Sequence, residues 1–206
     1  YKRQILFSAI SPRWIYPKVT INRFYRCHKL FYYIVVRRTK YKFDMKKVAV
    51  IGAGPSGITA IKNFKDQGFE VIAFERCSGV GGNWRYNDPS GHSSVFETTH
   101  IISSKYTSYY EDFPLPENAA DYPSHKELLE YFQAYTDHFD LEKNIKFNTE
   151  VVHCLQDNSH KWKVKWRELN DTQLLEEEFD ALVVCNGHHH EPRYPNYPGK
   201  FSGEYL

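Results

Sequence analysis

The residues best suited to chemistry in this chain are small ones. Gly52, Ala53, Gly54, Pro55, Ser56 and Gly57 read G-x-G-x-x-G, and an acid, Glu75, follows 23 residues after Gly52. Each residue type has a physical task in holding a dinucleotide. Gly52 permits a tight turn, Gly54 lets the backbone approach a pyrophosphate that a Cβ would block, and Gly57 lets a helix pack close to a strand. A helix start there presents unpaired N–H groups and a partial positive charge to the phosphates. Glu75 can accept hydrogen bonds from both hydroxyls of an adenosine ribose. It would repel a 2′-phosphate, and Arg76 alone does not reverse that, so the choice at this site is between FAD and NAD. Gly81, Gly82, Asn83 and Trp84 follow. The glycine pair lets a second loop pass beside a bulky cofactor, and Trp84 offers an aromatic wall to its rings. An NAD domain would continue into another helix at this point, which makes FAD the better reading.

These residues need a frame. The run KVAVI at 47–51 is β-branched and nearly continuous, the mark of a strand buried on both faces. Ile58, Ile61, Phe64 and Lys65 follow at helical spacing up to a stop at Gly68, and a second strand, 70–74, delivers Glu75. The order strand, glycine turn, helix, strand, acid predicts an α/β domain of Rossmann type with a parallel sheet. Residues 87–123 are rich in Pro, Ser, Tyr and Asp and read as a long ordered loop of the kind that wraps a ligand. Ser124 and Glu127 form S-x-x-E, a capping box, before Leu128, Phe132, Tyr135 and Phe139 at helical spacing through Asp140. Residues 145–151 read as one strand. The stretch 161–167, KWKVKWR, alternates with Trp162, Val164 and Trp166 on one face. Asn170 and Asp171 turn the chain, and 179–185 reads as a buried strand. A small antiparallel insertion therefore precedes a last strand that returns to the main sheet.

Composition bounds the alternatives. The 206 residues carry 27 Lys or Arg against 25 Asp or Glu, a net charge of +2, so no global field argues for nucleic acid. A mean hydropathy of −0.62 speaks against a membrane-spanning helix. The longest apolar run is the seven residues 30–36, too short to span. Cys27, Cys77, Cys154 and Cys185 lie far apart without a C-x-x-C pair, which is neither a disulfide framework nor a zinc site and implies a reducing, cytoplasmic setting. His188, His189 and His190 point in alternate directions on an extended backbone and lack further ligands at metal spacing, so no metal is expected. KWKVKWR is expected to be a half-buried strand with a solvated face rather than a nucleic-acid patch.

The averages hide a seam. The first 44 residues hold eleven Lys or Arg and a single acid, Asp44, whereas 45–206 hold 16 basic and 24 acidic residues. The chain's only Met, Met45, stands at that seam. An organellar transit peptide, an arm that binds RNA or anionic membrane, and upstream sequence preceding a true start at Met45 all fit such a segment. Position 1 is Tyr, which favours the last, and residues 1–44 are expected to stand outside the fold.

From Met45 onward the chain resembles the flavin-containing monooxygenases, most closely the bacterial-type flavoprotein monooxygenases. The matching pieces are GAGPSG, ERCSGVGGNW, SSK at 103–105 followed by EDFPLP, DYPSHKELLEYF, FNTEV and VVCNGHH, all collinear. The resemblance implies that residues 52–56 hold the FAD pyrophosphate, Glu75 the ribose, and Asn83 and Trp84 the flavin side. It also implies that Ser103 stands near the isoalloxazine and the nicotinamide, and that Val151, at the end of its strand, offers backbone contacts to adenine. Full-length relatives use NADPH to reduce FAD and form a C4a-hydroperoxyflavin that gives oxygen to a nitrogen or sulfur nucleophile of a small molecule, the N,N-dimethylaniline monooxygenase type. No side chain is nominated as a general acid or base. A Baeyer–Villiger oxygenase, a flavin oxidase or reductase, and a non-catalytic FAD-binding fragment are the rival readings.

Two departures stand out. Where the family has Asn before the Ser-Ser-Lys, this chain has Ile102, whose side chain cannot donate a hydrogen bond; His100 is the nearest candidate substitute. The family's F-x-G-x-x-x-H fingerprint starts at Phe201 and Gly203, and its His would fall just past Leu206. The expectation is thus an N-terminal fragment, incomplete at its C-terminus, whose NADPH-binding domain lies elsewhere. Alone it should hold FAD weakly and drive no NADPH turnover.

Overall fold

A computed structural model describes residues 33–34, 47–90, 95–188, 193 and 195–203. Most of the basic arm, Met45, His189 and His190 lie outside the described residues.

The KVAVI run forms strand β2 (Lys47–Ile51), and helix α1 (Pro55–Asp66) leads to β3 (Glu70–Phe74). These two strands pair in parallel, Lys47 against Glu70 through Ile51 against Phe74. On the other side of β2 lies β8 (Ala181–Val184), again parallel, and on the far side of β3 lies the short β4 (Ile145–Lys146). Tyr33–Ile34, β1, runs antiparallel to Val183–Val184 at the outer edge, giving the order β1-β8-β2-β3-β4. A separate antiparallel sheet consists of β5 (Thr149–Gln156), β6 (Trp162–Glu168) and β7 (Leu175–Phe179), in that order.

Burial explains why the central strands are apolar on both faces. Val48, Val50, Val71, Ala73 and Val183 pack with Ile58 and Ile61 of α1. Leu128, Tyr131, Phe132 and Tyr135 of α2 (His125–His138) join the same cluster. Ala49, Phe74 and Leu182 face the opposite way, against Val164, Trp166 and Phe179 of the antiparallel sheet. The molecule is therefore layered: helices, parallel sheet, antiparallel sheet. The KWKVKWR alternation lies as expected, with the Trp166 ring packed at a tilt against Phe74, 4.9 Å between ring centroids. On the other face Lys163 and Lys165 meet Glu178 and Glu176 across the strand pair at 3.6 and 3.1 Å.

Two expected strands are each divided. Residues 145–151 do not form one strand: β4 ends at Lys146, and β5 begins at Thr149 in the other sheet. Asn148 turns the chain between them with a left-handed φ of 51°, a conformation an Asn side chain tolerates better than most. Val151 is consequently the third residue of β5, opposite Trp166, and not the end of a strand. Likewise 179–185 divides at Asp180: Phe179 closes β7, and β8 starts at Ala181. The Asp180 carboxylate accepts the Lys47 N–H at 2.9 Å, and its own N–H donates to the Lys47 carbonyl, so this bend anchors β8 beside β2.

Helix α2 starts as its capping box predicts. The Ser124 hydroxyl accepts the Glu127 N–H, and the Glu127 carboxylate accepts the Ser124 N–H at 2.8 Å. The preceding loop is tied down by Lys105, whose ammonium donates to the carbonyls of Glu117 and Ala119, and by Tyr110, whose hydroxyl donates to the Pro55 carbonyl at 2.8 Å.

Candidate functional site

The carboxyl ends of β2, β3 and β8 converge, the position at which open α/β sheets bind ligands. Chain geometry at this end depends on missing side chains. Gly52 turns with φ at +93°, and a Cβ there would stand 2.5 Å from the Cys185 carbonyl oxygen at the end of β8. A Cβ on Gly57 would be driven into the Gly52 carbonyl, 2.8 Å from its carbon. Gly57 therefore brings α1 against the strand end, as its place in the fingerprint requires.

Gly54 is the N-cap of α1, Pro55 occupies the first turn, and neither a side-chain cap nor an acidic residue is present there. The first intrahelical bond is Ile58 N–H to the Gly54 carbonyl, which leaves the N–H groups of Ser56 and Gly57 ahead of the helix ladder. An N-terminus of this kind, uncapped and free of negative charge, suits an anionic group.

Glu75 is only 6% exposed and ties the cradle together. One carboxylate oxygen accepts the Ala53 N–H at 2.6 Å and the other accepts the Cys77 N–H at 2.7 Å. Sequence reasoning assigned this acid to a ribose; the structure shows it also fixing the glycine turn. Each oxygen keeps a second lone pair, so the two tasks are compatible. Beside it, Arg76 carries a buried Nε–H with no hydrogen-bond partner among the described residues. Burial pushes the Cys77 thiol up to about 12 and the Cys185 thiol up to about 11, so both stay protonated and inert at neutral pH.

The second glycine loop lies on the first. Gly82 has φ at +53°, and a Cβ on it would come within 3.1 Å of the Gly54 Cα. The Gly81 N–H donates to the Ala53 carbonyl at 3.2 Å. A 3-10 turn over Gly82–Trp84 then directs the Asn83 amide to the His188 carbonyl at 2.9 Å, linking this loop to the segment after β8. Trp84 is half-buried and packs on the helical core, so it is partly a core residue and partly a wall.

What sequence reasoning missed is the support of that loop. The Asp88 side chain is fully buried and accepts the Arg85 Nε–H at 2.8 Å, the Ser78 hydroxyl at 3.0 Å and the Ser90 N–H at 2.9 Å. Burial opposes its charge, but Ser90, Arg85 and Ser78 outweigh that and hold the carboxyl well below the usual carboxylate range. The remaining Arg85 donors reach the Val80 carbonyl and the Ser78 hydroxyl, both at 3.1 Å. The R-x-x-D spacing after Trp84 was the available signal.

The outlying candidates stand apart. Ser103 bonds Ser108 within its own loop at 2.6 Å, and Ile102 is 100% exposed. His100 engages the Tyr122 carbonyl through Nδ1 at 3.0 Å. Val151 is half-buried on the cluster between the two sheets, two residues beyond Thr149, whose N–H donates to the Glu75 carbonyl at 2.8 Å. Among the described residues, no group of three or more His, Cys, Asp or Glu is placed to hold a metal, and no helix is long and apolar enough to cross a membrane.

Comparison with known proteins agrees with this geometry. The model of the FMO-like family, flavin-binding monooxygenase-like, matches residues 45–206. Dimethylaniline monooxygenase [N-oxide-forming] 2 of Oryctolagus cuniculus is 38% identical over 169 residues, 78% of this chain and 32% of that protein. This chain thus spans about a third of the length of that relative. Among solved structures, S-allyl-L-cysteine S-oxygenase from Allium sativum superposes with a TM-score of 0.68 at 31% identity, over 75% of this chain and 39% of that one. A steroid monooxygenase in its oxidized state, bound to NADP, superposes with a TM-score of 0.56 at 28% identity, over 74% of this chain and 28% of that one.

Proposed function

The chain belongs to the flavin-binding monooxygenase-like family, and from that premise we propose that its glycine cradle holds the FAD of an NADPH-using enzyme that oxygenates nitrogen or sulfur atoms of small molecules. The observation that carries the FAD assignment is the contact of two glycine loops, Gly54 against Gly82, over the uncapped start of α1 with the buried Glu75 behind them. A single loop suffices for a pyrophosphate. A second one, held flush by residues without side chains, leaves room for a long cofactor to continue past the phosphates.

In this reading the N–H groups of Ser56 and Gly57 face the pyrophosphate, Glu75 accepts from the ribose, and Arg76 offers its buried Nε–H at the adenosine end. Asn83 and Trp84 border the flavin side, Ser103 lies toward the flavin ring, and the backbone at Val151 toward the adenine. The bound flavin supplies electron transfer and oxygen activation; the protein orients it and keeps the pocket dry. The relatives, an N-oxide-forming and an S-oxygenating enzyme, support a soft nitrogen or sulfur atom as the acceptor.

The test is a titration of FAD into the full-length polypeptide that carries residues 45–206, followed by flavin fluorescence and the visible spectrum. Glu75→Ala should weaken binding by about tenfold or more, since a buried carboxylate with charge-assisted bonds is removed. A full-length protein that stays colourless with excess FAD overturns the proposal.

One observation favours a second reading. Ile102 is a fully exposed apolar residue at the position where the family resemblance leads one to expect Asn, which fits an oxidase that releases hydrogen peroxide. Peroxide formed per NADPH consumed separates the two: near stoichiometric yield supports the oxidase, low yield with oxygenated product the monooxygenase.

A further inference from the structure

The Arg85 side chain lies across the backbone of its own loop. A Cβ on Gly79 would meet its Nη1 at 2.6 Å, and a Cβ on Gly81 would meet its Cγ at 3.2 Å. Two glycines therefore leave a channel through which the guanidinium reaches Ser78, Val80 and the buried Asp88. At the far side of the same loop, Gly81 donates to Ala53, Gly82 touches Gly54, and Asn83 holds the segment after β8. Arg85 and Asp88 thus sit at one end of a short rigid bridge whose other end is one wall of the cradle.

Resting on the flavin reading above, we infer that the Arg85–Asp88 pair is a positioning device: it sets how closely Gly82 presses on Gly54, and hence the width of the gap that receives the cofactor. Asp88 acts through Arg85, whose own backbone N–H donates to the Gly82 carbonyl at 3.0 Å and so carries the anchorage to the glycine that faces Gly54. Their bonds fix the loop from residue 78 to residue 90 through four anchor points, the Ser78 hydroxyl, the Val80 carbonyl, Asp88 and the Ser90 N–H. The bonds of Trp84 to Gly81 and of Arg85 to Gly82 close the turn itself, and the side-chain bonds of Arg85 and Asp88 tie that turn to the rest of its loop, where a glycine pair alone leaves the backbone adaptable.

The pair can be disturbed without being removed. Gly79 has no left-handed φ, and what its Cβ would meet is the end of a flexible side chain, so Gly79→Ala displaces the guanidinium and spares the backbone. In the full-length protein, FAD affinity and FAD release rate are measured for wild type, Asp88→Asn and Gly79→Ala. The exposed Arg167–Glu150 pair on the antiparallel sheet serves as control through Arg167→Ala. Circular dichroism and melting of the flavin-free proteins report the fold. The expected result is a folded Gly79→Ala protein whose affinity falls about tenfold or more, the scale on which loss of a supporting partner weakens a bound group, while Arg167→Ala binds as wild type. Should Asp88→Asn fail to fold, Gly79→Ala decides alone. Wild-type binding in a folded Gly79→Ala overturns the inference, and so does failure of Gly79→Ala to fold, which would make the loop a stability element only. A wild-type protein that binds no FAD overturns the flavin reading and this inference together; binding by wild type with equal binding by the variants overturns this inference alone.

Discussion

Gly57 shows how little freedom a single position has at this site. Its absent side chain is replaced by the carbonyl of Gly52, so Gly57→Ala forces either α1 or the end of β2 to move. Overpacking of that kind costs about 3 kcal/mol or more, because the obstacle is backbone and cannot rotate away. Urea unfolding should record the loss. Gly68 is the comparison: unlike Gly57 it has a left-handed φ of +82°, in the turn after α1, but a Cβ there meets nothing within 4 Å. Gly68→Ala should cost only about 1 kcal/mol, the intrinsic strain of a left-handed Ala. Equal losses at the two sites would mean that packing at Gly57 is slack. Glu75 makes the complementary point. Its position after a strand was readable, yet its bonds to Ala53 and Cys77 were not, since they depend on where two loops come to rest.

At the scale of elements, α1, α2, β2 and β3 were legible because each carries its own local signal: a β-branched run, a helical period, a capping box. Helix α2 offers a clean test. Ser124→Ala removes a hydroxyl that accepts the Glu127 N–H, and helix caps of this sort contribute about 1 kcal/mol. A lowered urea midpoint with an unchanged slope is expected; an unchanged midpoint would show that Glu127 alone closes the helix start. The divided strands were not legible. A run such as residues 145–151 looks continuous when read for apolar character, and only the tertiary choice between two sheets reveals that Asn148 is a hinge between them. Asp180 is the same case, a polar residue inside an apolar run whose carboxylate is spent on the Lys47 N–H. The Arg85–Asp88 pair went unread for a related reason: charged residues in a loop look solvated until the loop closes over them.

For the whole molecule, the burial of two thiols at the ends of the central strands has a consequence for alkaline stability. Burial raises Cys77 to about 12 and Cys185 to about 11, while a thiol in an unfolded chain titrates near about 8.5. Between those values the folded state binds more protons than the unfolded one, so stability is complete below the unfolded value and declines as pH rises. The raised Lys47, held by Glu177 against its own desolvation, acts in the same direction at higher pH. Urea midpoints should therefore drop from about pH 8 to about pH 10, and a midpoint that holds or rises would contradict the burial of these thiols.

The outermost strand of the antiparallel sheet has a consequence of its own. Glu176, Glu177 and Glu178 stand in succession on β7, which has a neighbour on one side only in that sheet. An open edge normally invites another chain to continue the ladder; here three carboxylates, each held by a lysine (Lys165, Lys47 and Lys163), give that edge a charged margin that makes an apolar strand of another molecule an unwelcome guest.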